Sequence, residues 1–188
     1  MTDPLHLPEF PPTIAAGPDL RLRVLASPDA QALHPLIDRD RDDLALRLPW
    51  PRFVKELGDS IAFCEASERK FAERSAAIYG IWSGPDILGV VSFNAIDLAS
   101  GAADIGYWLG TTARGRGIAT QAVAALVGAY GERGLLRRFV IKCAVGNERS
   151  RRIAERLGFA REAVLERAEK LGDTWHDQYL YALSPRGA

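Results

Sequence analysis

Apolar and polar residues change period along this chain, and the changes mark out its elements. Leu20 to Leu25 alternates, which predicts a first strand. Pro28-Asp29 opens a helix-like stretch to Ile37, and Phe53 to Phe71 predicts one or two helices. Between them, Asp38 to Asp43 is a dense run of alternating charges. Ala76 to Trp82 and Ile87 to Ile96 predict paired strands, joined by a turn at Ser83-Gly84-Pro85-Asp86. Ile105, Tyr107 and Leu109 alternate within a strand from Ala102 to Leu109. Just beyond, Ile118, Ala122, Leu126 and Tyr130 follow at helical spacing, and Ala119, Val123 and Val127 widen the apolar face of a helix to Arg133. A strand from Phe139 to Val145 follows, then a helix on which Ser150, Ile153, Ala154 and Leu157 share one face. Two more strands complete the order. Strands with helices inserted between some of them fit a mixed α+β sheet. The Pro-rich stretch 1–19 is expected to be an irregular arm, and residues 20–188 a single domain.

The 188 residues suffice for one domain with a substantial core. The formal net charge is zero, which argues against a nucleic-acid partner. Cys64 and Cys143 are far apart, and no Cys-x-x-Cys or His-x-x-x-His spacing exists, so no metal site is expected. Both cysteines read as small packed hydrophobes. Residues 1–12 lack the charged start and apolar core of a signal peptide. The longest apolar stretch, Ala122 to Tyr130, is too short to span a bilayer. The expectation is a cytoplasmic, reduced setting with no membrane partner.

The chemistry concentrates at the strand-to-helix junction, Asp104 to Ala119. The first four N–H groups of a helix have no partner within it, and the helix dipole makes that end positive. Gly115 and Gly117 remove Cβ atoms where a phosphate would approach the main chain, and Arg114 or Arg116 can add charge. An ordinary strand–turn–helix with a glycine loop accounts for the same residues. No Gly-x-x-x-x-Gly-Lys-Ser/Thr loop is present, and Thr120 stands where a dinucleotide fingerprint wants Gly or Ala. Further on, Asn147 suits a helix N-cap, and Gly158 a C′ residue with Phe159 packing back.

Arg114-x-x-Gly117-x-Ala119 resembles the Gln/Arg-x-x-Gly-x-Gly/Ala signature with which the GNAT superfamily of N-acetyltransferases grips the pyrophosphate of acetyl-CoA. Asn147-x-x-Ser150 followed by Gly158-Phe159 resembles a second element of that superfamily, in the expected order. The resemblance spans Arg21 to Leu183. Glu169 within Arg167-Ala-Glu169-Lys-Leu-Gly172, the ending Trp175-His-Asp177-Gln-Tyr179-Leu-Tyr181, and Leu48-Pro49-Trp50-Pro51 are similar to the RimJ/RimL-like branch, which acetylates ribosomal-protein N-termini. One departure is plain. Many relatives carry a general-acid Tyr four residues before the Gly of Gly-Phe, and Ala154 stands there.

The resemblance implies a GNAT fold: a mixed, mostly antiparallel seven-stranded sheet flanked by helices, splayed between the strand ending at Leu109 and the one ending near Val145. Acetyl-CoA is the implied co-substrate, with its pantetheine arm in the splay. Trp108, Leu109, Arg114, Gly115, Arg116, Gly117, Ala119, Thr120 and Asn147 are the implied cofactor-binding residues. One of Arg149, Arg151, Arg152 and Arg156 would meet the adenosine 3′-phosphate, unless the four form a solvated helix face. Backbone N–H groups near Leu109 would stabilise the thioester oxygen, a contribution of about 3–4 kcal/mol in other oxyanion sites. Glu169 is the implied base, or else a solvent-facing strand carboxylate. Ser150 is the implied proton donor to the thiolate, or else a small residue tolerated beside the ligand. Trp50 either walls the acceptor cleft or anchors its loop. Asp38, Asp40, Asp42 and Asp43 either attract a cationic amine or pair among themselves. The acceptor is a protein N-terminus or a small amine, and the oligomeric state is open, a homodimer included. A non-catalytic acyl-CoA-binding module and an unrelated nucleotide-binding protein are the competing readings.

Overall fold

The computed structural model describes residues 9–184. Its eight strands are β1 (Thr13–Ala15), β2 (Arg21–Val24), β3 (Ala77–Ser83), β4 (Asp86–Asp97), β5 (Ala102–Leu109), β6 (Arg138–Ala144), β7 (Ala160–Leu171) and β8 (Thr174–Leu183). The helices are α1 (Ala30–Ala45), α2 (Leu57–Ala72), α3 (Ile118–Gly131) and α4 (Glu148–Arg156). One sheet contains all eight strands, in the order β1-β2-β3-β4-β5-β6-β8-β7. The expected strand count was seven. The extra strand is β1, inside the stretch expected to be irregular. Prolines 11, 12 and 18 crowd its alternation, yet Ile14 is buried and opposite Leu22 of β2. Phe10 is buried too, edge-on to Tyr130 of α3. The first eight and last four residues of the chain lie outside the described residues.

Over β3 and β4 the sheet is buried on both faces. On β3, Tyr79 and Ile81 join the core under α3, while Ile78 and Trp82 join the core under α1 and α2. The first core gathers Ile118, Ala122, Val123, Leu126 and Tyr130 from α3, with Ala154 of α4 and Phe159. The second gathers Leu33, Leu36 and Ile37 of α1 with Cys64 of α2. The charged run from Asp38 to Asp43, which follows the predicted end of the first helix, continues α1 instead.

Every neighbouring pair is antiparallel except β5 and β6, which are parallel. A parallel pair needs a crossover, and α3 supplies it. The β5–β6 ladder runs from Ala102↔Arg138 to Ile105↔Ile141 and ends there. On their other sides the strands stay paired, β5 with β4 up to Gly89↔Leu109 and β6 with β8 up to Ala144↔Gln178. The two central strands therefore part over Gly106–Leu109 and Lys142–Ala144, as the resemblance implied.

Candidate active site

The parted strands open a cleft of about 750 Å3. Tyr107 of β5, Cys143 of β6, Asn147 and Ser150 at the start of α4, and Glu169 of β7 all line it. Residues 36 to 62 positions beyond Tyr107 thus share one space with it because β5, β6 and β7 end on the same side.

Ser150 is held from two directions. Its backbone N–H donates to Asn147 Oδ1 at 3.3 Å, the N-cap bond expected of Asn147. Its hydroxyl is 2.7 Å from the Tyr107 phenol. Burial pushes the Tyr107 phenol up to about 12, against the opposing pull of the Ser150 hydroxyl, so Tyr107 is protonated at neutral pH. Burial also raises the Cys143 thiol. Cys143 is therefore packed as a neutral thiol, as its apolar strand pattern suggests.

Glu169 reaches the cleft through an irregular hairpin. The β7–β8 register shifts between Leu165 and Glu169, and Arg167 within the shift has φ 49°. Asp177 Oδ1 accepts the Arg167 N–H at 2.8 Å and holds that backbone. Glu169 then lies opposite His176, and its carboxylate accepts from Gln178 Nε2 at 3.0 Å. The position of Asp177 explains how the bulge is fixed. A second bulge, between Phe93 and Ala95 of β4, carries Asn94 into the cleft lining. Asn94 and Tyr107 are site residues that the motifs did not indicate. The strand alternation of Ile105, Tyr107 and Leu109 marked Tyr107 only as one face of β5.

Beyond Leu109 the chain makes a short 3-10 turn, Thr111–Ala113, and then enters α3. Gly117 is the N-cap of α3, with φ 76° and no side-chain cap. Gly115 has φ 77°, and a Cβ there would meet nothing within 4 Å, so the space before the helix is open. The first amide turned back into the helix is Gln121 N, to Gly117 O at 3.0 Å. The amides before it point out of the helix start, with Ala119 buried and Thr120 half-buried behind them. Arg116 is exposed.

Arg114 is engaged within the protein. Its Nε donates to Leu109 O at 3.0 Å, and its Nη1 is 2.5 Å from Asp43 Oδ2. Three of the four α1 aspartates are paired rather than free for an amine, while Asp42 is exposed and in no ion pair among the described residues. Asp38 meets Arg41, and Asp43 meets Arg114 and Arg47. Asp40, only 5 % exposed, accepts Thr111 N and Thr111 Oγ1, each at 2.8 Å. The Arg39 guanidinium and these Thr111 bonds hold the Asp40 carboxyl down at about 2, against its burial. Trp50 is not among the residues lining the cleft. Its ring leans on that of Trp108 at 5.6 Å between centroids. Of the four arginines on α4, Arg149 lines the cleft, Arg152 pairs with Glu148, and Arg151 lies over Tyr179. A wider cavity, about 1000 Å3, borders Arg21, Arg23, Trp82 and Arg116 and contains none of Tyr107, Ser150 or Glu169. Among the described residues no group of three or more His, Cys, Asp or Glu could hold a metal ion, and no helix is long and apolar enough to cross a membrane.

A parallel pair that parts beside an uncapped helix is the arrangement implied by the motifs, and a family model described as an acetyltransferase (GNAT) domain matches residues 19–160. The chain belongs to the GNAT acetyltransferases. Among its relatives is a ribosomal-protein-serine acetyltransferase of Escherichia coli strain K12, 37% identical over 170 residues, which are 90% of this chain and 95% of that protein. Among solved structures, the microcin C7 self-immunity acetyltransferase MccE in complex with acetyl-CoA and AMP is 39% identical, with a TM-score of 0.90 over 94% of this chain and 98% of that one. The ribosomal alpha-N-protein acetyltransferase RimL in complex with coenzyme A is 35% identical, with a TM-score of 0.89 over 92% and 97% of the two chains. As a GNAT acetyltransferase, this chain is an enzyme that transfers an acetyl group.

Proposed function

We propose that this enzyme moves the acetyl group of acetyl-CoA to the α-amine of a protein N-terminus, ribosomal proteins being the favoured class. The observation that carries the reading is the end of the β5–β6 ladder at Ile105↔Ile141. It leaves a gap with the α3 start beyond one strand and Ser150 beyond the other. In this reading the pantetheine arm adds to β5 at Trp108 and Leu109 as an extra strand does at a sheet edge. The diphosphate meets the amides of residues 115–120. Arg116, exposed and in no ion pair among the described residues, supplies more free charge than Arg114. Asn147 acts on the same cofactor through the α4 start that it caps.

The acceptor must be neutral to attack, and an α-amine has a pKa of about 8. Its nitrogen bonds to the thioester carbonyl carbon, and the oxygen takes up negative charge beside the Leu109 amide. Glu169 accepts the proton that the nitrogen sheds, directly or through one water. The C–S bond then breaks, and the thiolate takes a proton from Ser150, which Tyr107 can replenish across their shared hydrogen bond. Trp50 bears on the acceptor indirectly, by bracing the 46–54 loop on Trp108. A cytoplasmic setting belongs to the same reading.

The likeness to MccE, solved with AMP, supports a second reading in which the amine belongs to a small molecule. Thiol-release assays with acetyl-CoA discriminate the two. Peptides with N-terminal Ser or Ala should react, with mass spectrometry locating acetyl on the α-nitrogen. Transfer confined to amino acids, polyamines or aminoglycosides would favour the second reading. No transfer to any amine would leave an acyl-CoA-binding module.

A further inference from the structure

The last two turns of α1 touch both halves of the site. Asp40 holds the 3-10 turn after β5 through Thr111, and a Cβ on Gly110 would meet Leu36 Cδ1 at 2.5 Å, so helix and turn are in close contact. One turn later a single oxygen, Asp43 Oδ2, receives two guanidinium groups: Arg114 Nη1 at 2.5 Å and Arg47 Nη1 at 3.2 Å. Arg114 belongs to the loop before α3. Arg47, with Leu46 and Leu48, lines the cleft on the side of the 46–54 loop. Arg47 and Leu48 also fold back on α1, both amides donating to Leu44 O, so the wall moves with the helix end.

We infer that Asp43 is a positioning residue that couples the cofactor loop to the acceptor wall, so that coenzyme bound at the loop tightens the wall before the amine arrives. The inference rests on the loop's proposed diphosphate role. Arg114 has five N–H donors in a rigid fork. Its Nε and Nη1 are committed to Leu109 O and Asp43, and Nη2 has no partner among the described residues. A diphosphate oxygen at Nη2 fixes the plane of the guanidinium. That fixes Asp43, and through it Arg47. The wall loses conformational freedom at the expense of the first ligand, so the second ligand has less ordering to do, which is positive coupling. The link is short: three side chains and no rearrangement of strands.

Hydrogen–deuterium exchange with coenzyme A as the only added ligand tests this without knowledge of the acceptor. In the parent protein, saturating coenzyme A should slow exchange in residues 111–120 and also in 44–50, each by about fivefold, the lower end of coupling between linked sites. Asp43→Asn should keep the protection at 111–120 and lose it at 44–50. Arg47→Gln, at an exposed side chain that leaves the cofactor loop intact, should do the same, which covers the case in which Asp43→Asn fails to fold. Asp43→Glu should restore part of the protection. Protection at 44–50 that survives both variants, or that is missing from the parent while 111–120 is protected, would overturn the coupling. If coenzyme A protects neither segment in the parent, the diphosphate reading fails and takes the coupling with it.

Discussion

The Tyr107 phenol and the Ser150 hydroxyl meet at 2.7 Å across the space between β5 and α4. A lone serine hydroxyl is a poor acid, and a protonated tyrosine behind it offers a replacement proton. Ser150→Ala should lower kcat by about 100-fold, the scale of general acid catalysis, with little change in the Kd for coenzyme A. Tyr107→Phe should lower kcat less and also spare Kd. Steady-state kinetics beside calorimetry separates these effects. Equal losses in kcat and affinity would make Ser150 a binding residue only.

In the proposed mechanism Glu169 takes the proton of the attacking amine. In Glu169→Gln the amine must lose that proton to solvent, so the loss of rate should be largest below about pH 8, where an α-amine is charged. The two pH–rate profiles should converge above it. Profiles of the same shape at every pH would remove Glu169 from the chemistry.

Asp40 ties α1 to the turn that precedes α3. Its carboxyl falls from an ordinary 3.8 to about 2 on folding. A depressed folded value contributes stability above the unfolded pKa and loses it as pH falls through the folded one. The contribution is about 2 kcal/mol above pH 4 and fades between about pH 4 and pH 2. Asp40→Asn should be less stable by about that amount at neutral pH, because the Thr111 donors and Arg39 lose a charged partner. Urea unfolding at a series of pH values should show the gap closing in that window.

Gly117 has φ 76° at the α3 N-cap. Alanine there carries a left-handed backbone cost of about 1–2 kcal/mol. Its Cβ meets only Gln121 Nε2, at 3.8 Å, so internal clash adds nothing. Gly117→Ala should therefore melt slightly earlier and bind coenzyme A at least tenfold more weakly, because the methyl stands where a phosphate would approach. Binding isotherms check this, and unchanged affinity would detach the loop from the cofactor.

Local signals in the sequence were strong where one element decides its own limits. The strand from Ala102 to Leu109 has its expected bounds, and Asn147 caps α4 through its own side chain. The parting of β5 from β6 was legible only through the motifs, since no residue pattern within either strand encodes where a ladder stops. Asp38 to Asp43 hid the second half of α1. All of those charges but Asp42 are paired, Arg41 with Asp38 and Arg47 with Asp43 at helical spacing, while Asp40 is buried against a turn 71 residues away. A buried aspartate reads as surface until its partner is known. The bulges at Asn94 and before Glu169 were equally hidden, because a bulge is a relation between two strands. The same applies to Tyr107, whose partner lies on α4.

The opening between β5 and β6 makes the native sheet one strand short at its centre. A molecule that fills the shortfall recognises only the folded chain, so its abundance sets how much of the protein stays folded, with about 2.7 kcal/mol gained at a concentration one hundred times its Kd. The supply of acetyl donor in the cell would then govern how long each copy of the enzyme lasts, as well as how fast it works.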